Sequence, residues 1–262
     1  MRWLAFSLLL LTACQPLLRP AADGSRAPAG EYAGAYGGDL VWSGVVTMTG
    51  DVLILAGGSL TIRPGTEVRI VPAEGTQIDP EYFSALTELL IRGRLIIEGS
   101  AGRPVRFTLV ERPGLEEIAW AGITLDAAGP SVLHHAVIER AETGVRCVGS
   151  SPEVVGNQIR RSRYGVIAQA ASHPKILDNL IEDGEGGVFC WRGSNPYLKG
   201  NVISGHDEEG VFVDPTSRPW LDRNTVTGNA IGLALYPRDL PYDDTAVTGN
   251  VENLRWLGPE KP

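Results

Sequence analysis

Three short charged clusters in the second half of the chain carry the side chains best suited to catalysis. The clusters lie at residues 160–163, 182–185 and 206–209, roughly one every 22 residues. Five of their members are candidate catalytic groups: Arg161, Asp183, Glu185, Asp207 and Glu209. Acidic and basic side chains held close together can act as general acid and general base. The same composition is also typical of a solvated turn, where such residues form surface ion pairs.

A second set of residues is suited to binding rather than to catalysis. Its members follow the same spacing, and they are Phe189, Trp191, Phe212, Asp214 and Tyr236. Alternation along short strands would turn them outward. Flat rings then face the C–H side of sugars while a nearby charge binds hydroxyl groups, so we expect a solvent-exposed, ligand-binding strip. The alternative is that the rings stack on one another or lie beneath a loop.

The spacing of both sets comes from a sequence repeat between Pro152 and Tyr236. Proline recurs at intervals of 22, 22 and 23 residues, and asparagine follows five residues later. A fixed period in this range indicates a solenoid. Short alternating runs such as Gly-Val-Phe-Cys-Trp at 187–191 favour strands over helices. The pattern therefore predicts an all-β parallel solenoid whose coils of about 22 residues lie ~4.8 Å apart.

The asparagine column is predicted to be structural. It consists of Asn157, Asn179, Asn201 and Asn224. Stacked at one corner, each side-chain carbonyl would accept a hydrogen bond from the amide of the coil above, as in the asparagine ladders of stacked strands. His135 falls in the same slot one unit earlier, so we expect it to cap this ladder.

The repeat Pro-x-aliphatic-x-x-Asn-x-aliphatic, followed by Gly-Val, resembles that of right-handed parallel β-helix proteins. In the first half, Gly58-Ser-Leu-Thr-Ile and Leu95-Ile-Ile-Glu-Gly are similar to the first coils of secreted proteins of the pectate-lyase-like superfamily. The resemblance covers roughly residues 39–250 and implies a single right-handed β-helix. It leaves the function open, because that superfamily includes lyases, hydrolases, epimerases and non-catalytic adhesins.

Three functions are compatible with this resemblance. The favoured one is non-catalytic binding of a polysaccharide or another component of the cell envelope. The second is a polysaccharide lyase or glycoside hydrolase, which in this superfamily uses acidic calcium ligands with a basic residue, or paired carboxylates. Calcium is expected only in that case, and otherwise neither a cofactor nor a metal is expected. The third is a periplasmic accessory protein of copper-site maturation, although the chain lacks the Met and His clusters that handle copper.

The N-terminus is predicted to be a lipoprotein signal peptide covering residues 1–13. Its apolar stretch, Trp3–Leu11, is too short to span a bilayer. Leu-Thr-Ala-Cys14 resembles a bacterial lipobox, which implies cleavage before Cys14 and lipid on that cysteine. Gln15 follows, and the resemblance then implies an outer-membrane anchor, with the protein facing the periplasm or the surface.

The rest of the chain is divided into a tether and a domain. Residues 14–38 are rich in Pro, Ala, Gly and Ser, which predicts a lipid-anchored flexible tether, and residues 39–262 form the predicted β-helix. An interruption of the repeat at 72–88 predicts an insertion whose Asp79-Pro80 pair could begin a short helix. The net charge is −8 and no basic block occurs, so nucleic acid is not an expected partner.

Two cysteines remain for the folded domain. Cys147 and Cys190 share a column with Ala168 on the coil between them. Two coils separate their Cα atoms by ~9.6 Å, whereas a disulfide needs less than ~7 Å. The sequence therefore predicts two buried free thiols.

Overall fold

A computed structural model describes residues 30–73, 82–242 and 245–258. Within these ranges the chain forms 26 β-strands and no helix. The described residues accordingly contain no helix that is long and apolar enough to cross a membrane. The prediction of an all-β fold is confirmed.

The strands are short and follow one another closely. The early coils contain β1 (Glu31–Tyr36), β2 (Asp39–Trp42), β3 (Val45–Ile54), β4 (Ser59–Ile62), β5 (Glu67–Ile70), β6 (Glu88–Ile91), β7 (Arg94–Glu98), β8 (Val105–Leu109) and β9 (Trp120–Asp126). The middle coils contain β10 (Val132–His134), β11 (Ala136–Glu139), β12 (Ala141–Val148), β13 (Glu153–Val155), β14 (Gln158–Arg160), β15 (Tyr164–Gln169), β16 (Lys175–Leu177), β17 (Leu180–Gly184) and β18 (Gly186–Cys190). The last coils contain β19 (Tyr197–Lys199), β20 (Val202–His206), β21 (Glu209–Val213), β22 (Trp220–Asp222), β23 (Thr225–Thr227), β24 (Ile231–Leu235), β25 (Ala246–Val247) and β26 (Glu252–Trp256).

The strands stack in parallel into three faces. The first face consists of β2, β4, β7, β10, β13, β16, β19 and β22. The second face runs through β5, β8, β11, β14, β17, β20, β23 and β25, and the third through β6, β9, β12, β15, β18, β21, β24 and β26, with the long β3 contributing to both. Since a parallel crossover is almost always right-handed, the chain is a right-handed parallel β-helix, as predicted.

Register along the first face gives the length of each coil. Lys175 pairs with Tyr197, and the hydrogen bonds that join these two coils span 22 residues. Tyr197 pairs with Trp220, where the corresponding bonds span 23 residues. Val132 pairs with Glu153, where the corresponding bond spans only 21 residues. The predicted coil length is confirmed, with single-residue adjustments at particular corners.

The core lies inside the three faces and is built by the alternation of each strand. On the third face the inward residues form two columns, Val145, Val166, Val188, Val211 and Leu233 beside Cys147, Ala168, Cys190, Val213 and Leu235. All of them are buried, as the sequence predicts. A fully buried aliphatic side chain contributes about 1.5–3 kcal/mol relative to an exposed one, so these columns stabilise the fold together with the buried columns of the other two faces.

The β-helix starts before the predicted boundary at residue 39. β1 pairs in parallel with β3, and Tyr32 and Tyr36 are buried in the core. Their rings contact each other, and that of Tyr32 also contacts Trp42, with centroids 6.1 Å and 5.0 Å apart. The Pro-, Ala-, Gly- and Ser-rich composition of residues 14–38 predicts a tether. In the structure, β1 pairs with β3 and places Tyr32 and Tyr36 in the core, so residues 31–38 belong to the β-helix domain.

The predicted insertion ends at a buried carboxylate. Asp79 and its neighbours lie outside the described residues, and the described part from Tyr82 to Thr87 contains bends and no helix. Glu88 accepts hydrogen bonds from the Phe83 backbone N–H at 2.9 Å and from Thr124 Oγ1 at 2.5 Å. Burial raises its pKa, although these hydrogen bonds oppose the effect. The described end of the segment is thus fastened to the outside of the third face through Phe83.

Candidate functional site

The first corner, between the first and second faces, contains the asparagine ladder. Asn157, Asn179, Asn201 and Asn224 are all buried. Asn179 donates from its backbone N–H and from Nδ2 to Asn201 Oδ1, at 3.0 Å and 2.9 Å. The direction is opposite to the expected one: each oxygen accepts from the preceding coil, because its side chain reaches back toward the N-terminus. The ladder satisfies the hydrogen-bonding groups of these buried amides, so its role is structural.

The N-terminal end of this ladder differs from the expectation. Ala136, and not His135, occupies the asparagine slot of the earlier coil, since its backbone N–H donates to Asn157 Oδ1 at 2.7 Å. The shorter coil at this step moves His135 one position back, where its ring packs against Gly156. After Asn224 the next position is taken by Thr245, whose Oγ1 lies 3.4 Å from the Asn224 backbone N.

A serine ladder at the third corner, between the third face and the following first face, was not anticipated. Its members are Ser150, Ser172, Ser194 and Ser217, all buried. The Ser150 backbone N–H donates to Ser172 Oγ at 3.0 Å, and the next two steps repeat this bond at 3.1 Å. The serine column could have been recognised from the sequence, because each serine lies two residues before a proline of the repeat.

The second corner, between the second and third faces, has a third ladder containing a histidine. The His206 backbone N–H donates to Asn229 Oδ1 at 3.0 Å, and Asn229 donates in turn to Asn250 Oδ1. The His206 ring is buried, with Nε2 3.3 Å from Ile181 O and no hydrogen bond at Nδ1 within the described residues. Burial lowers the pKa of His206 below its usual value, which favours the neutral ring at pH 7.

The outer side of this second corner contains the candidate catalytic residues. A cleft of about 170 Å³ is lined by Arg161, Asp183, Glu185 and Asp207, but not by Glu209. Arg161 Nη2 lies 3.1 Å from Glu139 Oε2, and Arg163 Nε lies 3.1 Å from Glu185 Oε1. Burial raises the pKa of Glu209, whose side chain is separate from this cleft. The structure thus brings four of the five residues together, and two of those four are already ion-paired.

The candidate binding residues on the outside of the third face form a packed aromatic cluster. Phe189 stacks on Phe212 with centroids 5.4 Å apart, and Trp191 stacks on Phe212 at 4.6 Å. Phe189 and Phe212 are only 6% and 9% exposed, whereas Trp191 and Tyr236 are 37% and 36% exposed. The expectation of a fully exposed strip is therefore wrong for the two phenylalanines, because rings on successive coils cover one another. Of the four aromatic residues predicted for the strip, only Trp191 and Tyr236 present substantial ring surface.

Asp214 is also placed differently from the expectation. It is 7% exposed, and its carboxylate accepts hydrogen bonds from the backbone N–H groups of Arg192, Thr216 and Ser217 at 2.6–2.9 Å. Burial acts to raise its pKa, but these bonds outweigh burial and hold the pKa below its usual value. The carboxylate of Asp214 therefore fixes a turn.

An open cleft of about 510 Å³ lies beside the exposed edge of the aromatic cluster. Tyr236, Pro215 and Pro237 provide apolar lining, and Arg218 and Arg238 provide charge. Tyr236 also contacts Phe212, with ring centroids 6.2 Å apart. The cleft is therefore continuous with the cluster through Tyr236. Sequence reasoning missed it, because two of these residues lie in the irregular segment after Tyr236.

The first face has an exposed aromatic pair that sequence reasoning also missed. Trp220 is 66% exposed and lies edge-on to Tyr197, with centroids 6.3 Å apart. The Tyr197 hydroxyl donates a hydrogen bond to Asp222 Oδ2 at 2.9 Å. This pair lies on a different face from the aromatic cluster, which makes Trp220 a useful reference position for mutations there.

The thiols are enclosed in the core. Cys147 and Cys190 are free and buried, in register with Ala168 between them. Burial raises the pKa of Cys147 to about 12 and raises that of Cys190 as well. The prediction of buried free thiols is confirmed.

Comparison with known proteins identifies one family. Residues 109–252, more than half of the chain, match the family model described as periplasmic copper-binding protein (NosD). No curated protein and no solved structure matches the chain. The matched segment starts at the end of β8 and includes all three ladders, the charged corner and the aromatic cluster. The chain therefore belongs to the NosD family of periplasmic β-helix proteins.

Proposed function

We propose that this chain is an exported, lipid-anchored β-helix protein that binds a polysaccharide of the cell envelope without cleaving it. Membership of a family described as periplasmic supports export. The anchor is the lipid on Cys14 that the lipobox resemblance implies, and an outer-membrane location follows from Gln15. Cys14 and Gln15 lie outside the described residues.

The observation that carries the binding proposal is the exposed edge of the aromatic cluster. Trp191 and Tyr236 each present about a third of their surface, 37% and 36%, to solvent. Their inner sides pack on Phe212, with centroids 4.6 Å and 6.2 Å away. Rings held in this way lose little side-chain entropy on binding. They suit the C–H faces of an extended sugar chain passing from Trp191 to the cleft beside Tyr236.

The lyase or hydrolase alternative is less well supported by the geometry. A catalytic pair needs carboxylates whose charge is available to substrate or metal. Glu185 is paired with Arg163, and Arg161 is paired with Glu139. The charged corner instead has the coil-to-coil pairing typical of a solvated surface, so no catalytic step is assigned to it.

The copper named in the family description does not fit the described residues. Among them no group of three or more His, Cys, Asp and Glu side chains is placed to hold a metal ion. Cys147 and Cys190 are enclosed in the core with raised thiol pKa values, and Met48 is fully buried. His206 is a member of a buried ladder. We therefore derive no binding step through copper for this chain.

A glycan array probed with the full-length protein in a non-ionic detergent tests the binding proposal. Trp191→Ala and Tyr236→Ala should each weaken binding to the glycans that the wild type retains, by about tenfold if each ring contributes ~1.4 kcal/mol. Trp220→Ala on the first face is the matched control and should bind like the wild type. Phe212→Ala is unsuitable, since removing a buried ring changes stability and binding together.

The free energy of unfolding should change by less than about 2 kcal/mol in both test variants, as expected for partly exposed positions. Undiminished glycan binding by folded Trp191→Ala and Tyr236→Ala would show that the aromatic edge is only a packing feature.

A further inference from the structure

The cleft beside Tyr236 differs in its charge from the charged corner. The chain as a whole has a net charge of −8. At the charged corner, arginines are compensated by glutamates of neighbouring coils: Arg160 by Glu182 at 2.9 Å and Arg163 by Glu185 at 3.1 Å. Among the described residues, in contrast, the cleft is lined by Arg218 and Arg238 with one acidic residue, Asp239.

The Arg218 guanidinium is positioned mainly by neutral partners. Its Nη1 donates to Pro215 O at 3.0 Å and to Ser217 O at 2.8 Å. Its acidic neighbour Asp239 is 3.7 Å from Nε, with a side chain that is 79% exposed. Donors that are pre-oriented and weakly compensated are suited to binding a carboxylate with two parallel hydrogen bonds.

Arg238 is positioned by a ring rather than by an acid. Its guanidinium carbon lies 5.4 Å from the centroid of Trp256, over the face of the indole. Of the described residues, none forms an ion pair with Arg238. A cation–π contact holds the side chain without neutralising it, so the positive charge remains available at the cleft.

Apart from its charged residues, the cleft lining is mainly apolar. Tyr236, Pro215 and Pro237 share the cleft with both arginines. This combination matches one chemical class, a sugar ring that carries a carboxylate. The C–H face packs on Tyr236 and the prolines while the carboxylate bonds to a guanidinium.

We infer that the cleft lined by Tyr236, Arg218 and Arg238 is a subsite for the carboxylate of an acidic sugar, so that the glycan bound by this protein is a uronate polymer. The inference rests on the proposed function and narrows its ligand class. Uronate-specific binding requires the two arginines, whereas general glycan binding requires only the rings.

The test compares each uronate polymer with its own methyl ester, which keeps the sugar and removes the charge. Polygalacturonate, alginate and hyaluronate, each as acid and ester, are titrated into the full-length protein in detergent. At least one acid form should bind at least about tenfold more tightly than its ester, consistent with a charge-assisted hydrogen bond, and the preference should decrease as salt is raised.

Substitution of the two cleft arginines tests whether the preference for the acid over the ester arises in this cleft. Arg218→Gln and Arg238→Gln should each reduce the acid-over-ester ratio about tenfold, and Arg238→Lys should retain part of it. Arg223→Gln, an exposed arginine beside Asp222 on the first face, is the control and should leave the ratio unchanged.

The two proposals fail in different ways. Equal affinity for acid and ester, unaffected by the arginine variants, would overturn the uronate subsite and leave glycan binding intact. Absence of binding to every acid and every ester would overturn the uronate inference, and absence of binding across the glycan array would overturn the proposed function itself.

Discussion

Asn201 accepts two hydrogen bonds from Asn179 with a single oxygen, from the backbone N–H at 3.0 Å and from Nδ2 at 2.9 Å. Its own Nδ2 donates to Ile176 O at 2.8 Å and to Asn224 Oδ1 at 2.9 Å. One fully buried amide therefore satisfies polar groups on the coils before and after it, which makes it a sensitive position for stability.

Asn201→Ala should lower the free energy of unfolding by roughly 1–3 kcal/mol, because buried donors and acceptors lose their partner. Asn157→Ala is the matched comparison and should cost less, since Asn157 Oδ1 accepts one bond, from Ala136 N–H. Denaturant unfolding of both variants measures the difference. Equal midpoints for wild type and Asn201→Ala would refute the energetic importance of the ladder.

His206 makes the stability of the fold depend on pH. Its folded pKa lies below the usual value because burial disfavours the charged ring, against the smaller opposing effects of the Ile181 and Gly184 backbone and of Asp183 and Asp207. Above about pH 6.5 the ring is neutral in both states. Below that pH the unfolded chain takes up the proton first, so stability falls, by up to ~1.4 kcal/mol per pH unit, until the folded pKa is passed.

His206→Asn should remove this part of the acid sensitivity. An asparagine fits the corner, because Asn229 in the next coil donates from Nδ2 to Ile203 O at 3.2 Å, the counterpart of the His206 contact with Ile181 O. Unfolding midpoints are measured from pH 7.5 to 5 for both proteins. The curves should run parallel at high pH and diverge below about pH 6.5, and curves that stay parallel throughout would contradict the prediction.

The thiols should be reactive only after unfolding. Burial raises the pKa of Cys147 to about 12 and also raises that of Cys190, and the reactive species is the thiolate. At pH 8 the folded protein should leave both unmodified by a thiol reagent, whereas both should react in denaturant without reductant. Mass spectrometry that finds a Cys147–Cys190 disulfide would show that the coil register is wrong.

Cys14 is predicted to carry the membrane anchor. Cys14→Ser should abolish incorporation of a palmitate analogue during metabolic labelling and release the protein from membranes. Cys147→Ser is the control and should remain labelled, because its thiol is enclosed in the core. Label retained by the Cys14→Ser protein would exclude this mode of anchoring.

The fold was predictable from the sequence because it is periodic. One alternating strand places Val188 and Cys190 inside, and the same pattern recurs on each coil, so a correct assignment for one coil transfers to its neighbours. Errors arose where the period changes. A coil shorter by one residue moved His135 out of the asparagine slot, and no local feature of the sequence marks the missing residue.

The candidate site was less predictable because exposure is a property of neighbouring coils. Alternation turns Phe189 and Phe212 outward, but their burial depends on how Tyr164 and Trp191 pack over them. Similarly, Arg238 lies outside the repeat and is placed by Trp256, which belongs to the following coil. Such contacts between irregular segments follow from tertiary packing and have no periodic signal.

The hydrogen bonds accepted by the side-chain oxygens of the three ladders all run in the same direction along the chain. Within each ladder the oxygen of a later coil accepts from the coil before it, as Asn179 does for Asn157, Ser194 for Ser172 and Asn229 for His206. A chain that leaves a translocation channel amino end first can add its coils in order, each completing the hydrogen bonds of its predecessor. In each ladder the last coil added presents donors that the next coil satisfies, an arrangement that suits winding from the amino end.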